Sequence, residues 1–177
     1  MLPNGFATPR LLLRPIEASD APTIFQAYAQ DPEVSRFLTW RPHTSIEDTR
    51  SYLASAVAAV SSRNYAIIER GSGALIGSFE LRQAASWRLG YGYALARPFW
   101  GRGLMTEALT EVAGWALAQP GIWRISDVVD VDNPASARVM EKAGFVREGV
   151  LRRWGLHPNV SDEPRDCYLY ARVRVAA

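Results

Sequence analysis

The stretch that decides the reading is YALARPFWGRGLMTEAL, Tyr93 to Leu109. It opens as an apolar strand and closes as a helix, and Gly101-Arg102-Gly103 sits between them behind Pro98, Phe99 and Trp100. From Gly103 to about Ala118 the spacing predicts a helix that places Ala108, Leu109, Val112, Ala113, Ala116 and Leu117 on one face. Packed on a sheet, that face fixes the helix axis and aims its N-terminus. The N-terminus offers unpaired N–H groups and about half a positive charge. Preceded by glycines, it can receive a phosphate at close range. Arg102 adds a full charge and Arg97 a second. Taken alone, the glycine pair reads more simply as a tight strand-to-helix corner, since such pairs are common at these turns. No Gly-Lys-Ser/Thr follows, so this is not a P-loop, and the third glycine of a dinucleotide fingerprint is missing.

Working outward on the C-terminal side, WRISDVVDV reads as a strand, NPASARVMEKAG as a helix and FVREGVL as a strand. Asn133 caps that helix, Pro134 occupies its first position and Gly144 stops it. RRWGLHPNVSDEPR reads as a long polar loop, suited to a substrate lid, and DCYLYARVRV as the last strand. On the N-terminal side, WRLGYGYAL is a strand. NYAIIER and ALIGSFELR form a hairpin about Gly71-Ser72-Gly73. Earlier still, RLLLRPI is a strand, and EASDAPTIFQAYAQ a helix capped by Ser19 or Asp20. DPEVSRFLTWRP is a connection. TSIEDTRSYLASAVAAV is a helix capped at Thr44 or Ser45, with Ile46, Leu53, Val57 and Val60 at helical spacings. The expectation is one α/β (α+β) domain over residues 1–177. Its sheet has about seven mostly antiparallel strands with one parallel pair, about the Tyr93 strand, the Gly103 helix and the Arg124 strand, and about four helices flank it.

Composition sets outer bounds. The 177 residues carry a net charge of +2, too little to argue for nucleic acid as partner. Cys167 is the lone cysteine, so no internal disulfide forms. His43 and His157 are far apart in sequence, so no metal-spaced cluster is expected. MLPNGFATPR lacks a basic n-region and an apolar h-region, and no apolar run approaches membrane-spanning length. The expectation is a cytoplasmic protein without a bound metal.

GYALARPFWGRGLMTEAL followed by NPASARVMEKAGFVREGVL resembles the two cofactor motifs of the GNAT N-acetyltransferases. TPRLLLRP, DPEVSRFLTWRPHTS and EPRDCYLYARVR are similar to the Rim-type branch, the ribosomal-protein alanine N-acetyltransferases and their relatives. The resemblance implies the GNAT fold with a sheet splayed at its parallel pair, acetyl-CoA as donor, and a primary amine (a protein N-terminus or a small amine) as acceptor. It implies that the loop Trp100, Gly101, Arg102, Gly103, Leu104, Met105 and Thr106 holds the pyrophosphate, with N–H groups from Gly101 onward. It implies that the backbone of Tyr93, Ala94 and Leu95 pairs with the pantetheine arm. Where the superfamily has Gln or Arg before the first glycine, this chain has Trp100. Where it often has a small residue two after the second glycine, the chain has Met105.

Acetyl transfer to an amine needs an unprotonated nitrogen near the carbonyl carbon, donors for the carbonyl oxygen and a proton for the leaving thiolate. Many superfamily members place a tyrosine in the second helix, where this chain has Met140. Ser136, three residues after Asn133, is the candidate near the sulfur, and Asn133 a pantetheine contact. Plain helix capping accounts for both residues as well. Glu80 is the candidate base, on a strand face it shares with Ser78. A solvated strand face is the alternative, and Asp130 and Glu163 are weaker candidates. Arg138 and Lys142 lie near the adenosine end or on a solvated face. Trp40, Trp87 and Trp154 could wall an acceptor pocket, while most tryptophans belong in the core. A CoA- or peptide-binding module without turnover is the rival to an enzyme, and a homodimer stays open.

Overall fold

The computed structural model describes residues 2–175. In chain order its strands are β1 (Phe6–Ala7), β2 (Leu11–Pro15), β3 (Ser62–Glu69), β4 (Leu75–Ala85), β5 (Arg88–Leu95), β6 (Arg124–Asp130), β7 (Val146–Gly155) and β8 (Arg165–Val173). They make one eight-stranded sheet in the order β1-β2-β3-β4-β5-β6-β8-β7. All neighbours are antiparallel except β5 and β6, which run parallel. The hairpin about Gly71-Ser72-Gly73 forms as expected between β3 and β4. The mixed α/β architecture with a single parallel pair is the one the sequence implied. The strand beyond the expected seven is β1, two residues long and too short for alternation to announce.

The parallel pair is brief. Registered partners are Arg88 with Arg124 and Leu89 with Ile125, and beyond them the strands part. α4 (Leu104–Ala118) makes the crossover, and α5 (Pro134–Lys142) follows β6. Ala108, Leu109, Val112, Ala113 and Ala116 are fully buried, which pins α4 to the sheet. Each such Leu or Val is worth about 1.5–3 kcal/mol in burial. Alternation then sorts the strands between two cores. Tyr65, Ile67, Phe79, Leu81 and Tyr91 face α4 and α5, while Ala66, Leu75 and Ala94 face the N-terminal helices.

Those helices are α1 (Ala21–Ile24), α2 (Pro32–Ser35) and α3 (Ile46–Ala58), five helices in all with α4 and α5. Several expectations need correction here. DPEVS is not a plain connection: the Asp31 side chain accepts from the Glu33 N–H and Pro32 opens α2. A 3-10 turn (Ala18–Asp20) precedes α1 and a π turn (Phe25–Ala29) follows it. Neither Ser19 nor Asp20 caps by side chain. Asp20 instead accepts from the Glu17 N–H and pairs with Arg14 at 2.6 Å. Ser45 does cap α3, in a box with Asp48, but the helix ends at Ala58, and Val57 in its last turn and Val60 beyond it are exposed. The expected polar loop loses its first four residues to β7, which continues past irregular registers to Gly155. Arg153 takes a positive φ of 49° there.

Candidate active site

Where β5 and β6 part, strand-edge groups lose their neighbour. Backbone groups of alternate residues point to opposite sides of a strand. The Ala96 N–H donates to Ile76 on the β4 side, and the Tyr91 N–H points the other way, to the Asp127 carboxylate at 3.0 Å. The groups of Tyr93 and Leu95 therefore face the gap, and those of Ala94 face β4. Asp127 thus fills the base of the splay with a side chain from β6. Arg82 joins it by an ion pair and also meets Glu80 at 3.0 Å. Burial pushes the Asp127 carboxyl above its usual range despite the Arg82 charge and the Val128 and Tyr91 amides.

The mouth of the gap leads to the glycine pair. Gly101 and Gly103 have φ of 72° and 73°, the left-handed region that favours glycine. Gly103 is the N-cap of α4 and no side chain caps it. Among the described residues, no N–H from Gly101 to Thr106 donates to a protein acceptor, and the first α4 bond at this end is Glu107 N–H to Gly103 O, 3.1 Å. A Cβ at Gly101 would meet nothing within 4 Å, so the approach is open. Arg10 braces the turn by bonding Glu107 at 2.6 Å and the Arg102 carbonyl at 2.9 Å. Trp100 has a defined task, donating its indole N–H to the Leu95 carbonyl at 2.6 Å. Met105 is buried and packs inward, so its bulk leaves the amides clear.

The expected cations are engaged elsewhere. Arg102 pairs with Glu69 at 2.6 Å and lies over the Phe99 ring, and Arg97 pairs with Asp31 at 3.0 Å. What the loop offers is backbone donors rather than free side-chain charge.

α5 closes the other arm of the splay. The Asn133 side chain accepts from the Ser136 N–H at 3.1 Å, the expected cap. The Ser136 hydroxyl lies 2.6 Å from the Tyr93 hydroxyl of β5. Burial pushes Tyr93 up to about 12, against the Ser136 hydrogen bond. Met140 is buried in the core and brings no donor.

Other candidates fall outside this gap. Asp130 is fully buried and bound by Arg165 at 2.6 Å, and Glu163 pairs with Arg153 on the surface. Cys167 and His157, unconnected in the sequence, come to 3.8 Å, with Asp130 3.7 Å from His157. Burial raises the Cys167 thiol, which is fully buried on β8 between β6 and β7. Trp40, with Tyr28, His43, Tyr52 and Ser78, lines a pocket on the Glu80 face of β4. Trp87 and Trp154 are exposed, as are Trp100 and Trp123, so the tryptophans are not mainly core. The loop after β7 docks on the α2–α3 connection, because the Asn159 amide donates to the Ser35 and Trp40 carbonyls, both at 2.7 Å.

The acetyltransferase (GNAT) domain model matches residues 10–146. This chain belongs to the GNAT acetyltransferase family. An uncharacterized N-acetyltransferase, YoaA of Bacillus subtilis (strain 168), is 32% identical over 172 residues, covering 94% of this chain and 95% of its own. A GNAT-family acetyltransferase from Bacillus anthracis has the same fold with a TM-score of 0.84 and 25% identity, over 96% of this chain and 98% of its own. RimL, a ribosomal L7/L12 α-N-protein acetyltransferase solved in complex with coenzyme A, superposes with a TM-score of 0.82 at 23% identity, over 94% and 96%. The GNAT membership and the acetyl-transferring class expected from the sequence therefore hold, and the fold is shared with a Rim protein. No helix among the described residues is long and apolar enough to cross a membrane.

Proposed function

We propose that this GNAT protein takes acetyl-CoA as donor and moves the acetyl group to a primary amine by direct attack in a ternary complex. The observation that carries the reading is the run of N–H groups from Gly101 to Thr106 without protein acceptors, set at the mouth of a splayed sheet. Such a run suits a pyrophosphate, and the RimL structure shows a protein of this fold holding coenzyme A. Trp100, Gly101, Arg102, Gly103, Leu104, Met105 and Thr106 form the seat. Tyr93 offers its strand-edge groups, and Leu95 its N–H, to the pantetheine arm, the Leu95 carbonyl being taken by the Trp100 indole. Ala94, whose own groups turn to β4, supplies the wall between them, and Asn133 approaches the arm from α5.

The amine nitrogen attacks the thioester carbonyl carbon, and a strand-edge N–H is the available donor for the developing oxyanion. Glu80, facing the gap beside Gly92, receives the amine proton through a water. It is held by Arg82, so an incoming ammonium competes with a guanidinium for it. Ser136 donates at the leaving sulfur. The acceptor is a protein N-terminus or a small amine, entering from the side of Trp40, Tyr52 and Ser78. The reading keeps one domain, no metal and a cytoplasmic setting, as expected from the sequence.

Met140 favours one second reading, a CoA- or peptide-binding module without turnover, since the tyrosine usual at that place is gone. Thiol release distinguishes them. Incubation with acetyl-CoA and a panel of peptides, polyamines, amino acids and drug amines should give amine-dependent free thiol. CoA binding with no release on any amine would establish the module.

A further inference from the structure

The Tyr93–Ser136 contact joins the two arms of the splay. Tyr93 lies on β5, and Ser136 on the first turn of the helix that follows β6. Between the arms the registered strand pairing ends at Leu89 and Ile125, with only the Asp127 side chain reaching across to the Tyr91 N–H, yet these two hydroxyls meet at 2.6 Å. Resting on the acetyl-transfer reading above, we propose that Tyr93 is a positioning residue. It spends its hydroxyl proton on Ser136 Oγ, so the serine's own proton is left to point at the leaving sulfur.

The direction of the bond follows from chemistry. A phenol is a far better donor than an aliphatic alcohol, and an aliphatic alcohol oxygen is the better acceptor. Ser136 Oγ has no other partner among the described residues, so its proton is uncommitted. Tyr93 is held in place by its ring, which stacks with Phe79 and Tyr91 at centroid distances of 6.3 Å. Burial pushes its pKa up to about 12, so the phenol stays protonated throughout any practical assay. The backbone of Ser136 is fixed separately by Asn133. The serine is thus oriented at both ends, by Asn133 through the amide and by Tyr93 through the hydroxyl. This supplies from β5 a phenol that the second helix lacks at Met140, although it acts through the serine rather than on the sulfur.

In the step itself, the N–C bond forms and the C–S bond breaks, and the bonding pair stays on sulfur. The sulfur takes up one proton from Ser136, which regains it from water, and the attacking nitrogen sheds one to Glu80 through a water. No oxidant or reductant is involved, and Tyr93 ends as it began.

The test is a double-mutant cycle of Tyr93→Phe, Ser136→Ala and the double variant. kcat is measured by thiol release on any amine the wild type accepts, and CoA affinity by calorimetry. Phe keeps the stacked ring, so folding is retained, and thermal melts verify it. The expected result is a kcat lower by about three- to tenfold in Tyr93→Phe, the worth of one neutral hydrogen bond, with CoA affinity unchanged. The double variant should be no slower than Ser136→Ala alone, since Tyr93 has nothing to orient once the serine is gone. An unchanged kcat in Tyr93→Phe, a loss confined to CoA affinity, or losses that multiply in the double variant would each overturn the proposal. If the wild type releases no thiol with any amine, the acetyl-transfer reading itself fails, which is a separate and recognisable outcome.

Discussion

Gly101→Ala tests the pyrophosphate seat against a matched control inside the same molecule. Gly101 has φ of 72° and a Cβ there would meet nothing within 4 Å, so the protein itself offers no clash. The folding cost is then that of a left-handed non-glycine residue, about 1–2 kcal/mol. For a chain of this size that lowers Tm by about 2–8 °C. Gly121 has φ of 78° and equally open surroundings, but it lies past the other end of α4. The 15 residues of α4 separate the two sites by about 22 Å. Gly121→Ala should therefore cost the same stability. The variants should differ in CoA binding: the added methyl at Gly101 stands where the anion approaches the amides, and affinity should fall about tenfold or more, about 1.4 kcal/mol. Gly121→Ala should bind as the wild type does. Melts without ligand establish the matched strain, and calorimetry with CoA reads the difference. Equal CoA affinity in the two variants would show that the loop is only a corner.

Three further expectations follow from other parts of the molecule. Glu80→Gln should lower turnover most near neutral pH and regain activity as alkali deprotonates the amine directly; a pH–rate profile identical to that of the wild type would remove Glu80 as base. Asn159→Ala removes both bonds that dock the loop after β7 on the α2–α3 connection. It should cost about 1–3 kcal/mol and raise KM for the amine while CoA affinity stays put, and an unchanged KM would detach this loop from the acceptor. For Asp130, burial works upward, but Arg165 and the Asp132 amide outweigh it, and the carboxyl ends below its usual range. A lowered folded value stabilises above the ordinary carboxylate pKa of about 4, and that contribution is lost as pH falls through the folded value. Arg165→Leu should destabilise by about 3–5 kcal/mol at pH 7, leaving a buried charge that keeps only the Asp132 amide at 2.8 Å and His157 at 3.7 Å beside it. The deficit should narrow on acidification; a deficit independent of pH would contradict this assignment.

How much of this the sequence disclosed depends on how local each signal is. The α4 face, the Asn133-Pro134 cap and the Gly71-Ser72-Gly73 turn are written in neighbouring residues, and they appear where expected. The signal for α2 was also local, an Asp-Pro pair that caps and starts a helix, but its four residues are too few to show a period. The end of β7 hid because the register shifts between Leu151 and Gly155, so Arg152 to Gly155 read as loop. The charge assignments failed for a different reason. Arg97 and Arg102 look free until Asp31 and Glu69 are folded against them from 66 and 33 residues away. The same holds for the contents of the splay. Nothing near Asp127 in the sequence says that it replaces a strand partner for the Tyr91 N–H, and nothing near Tyr93 names Ser136, 43 residues on. Cys167 and His157 likewise meet only through the pairing of β7 with β8.

The most direct measurement of the donor seat is backbone hydrogen exchange with and without CoA. Slowed exchange should concentrate on Gly101 to Thr106, on the gap-facing amides of Tyr93 and Leu95, and on the start of α5 near Asn133 and Ser136. Ala94, whose amide already bonds toward β4, should change little. Protection that bypasses Gly101 to Thr106 while CoA is bound would contradict the account.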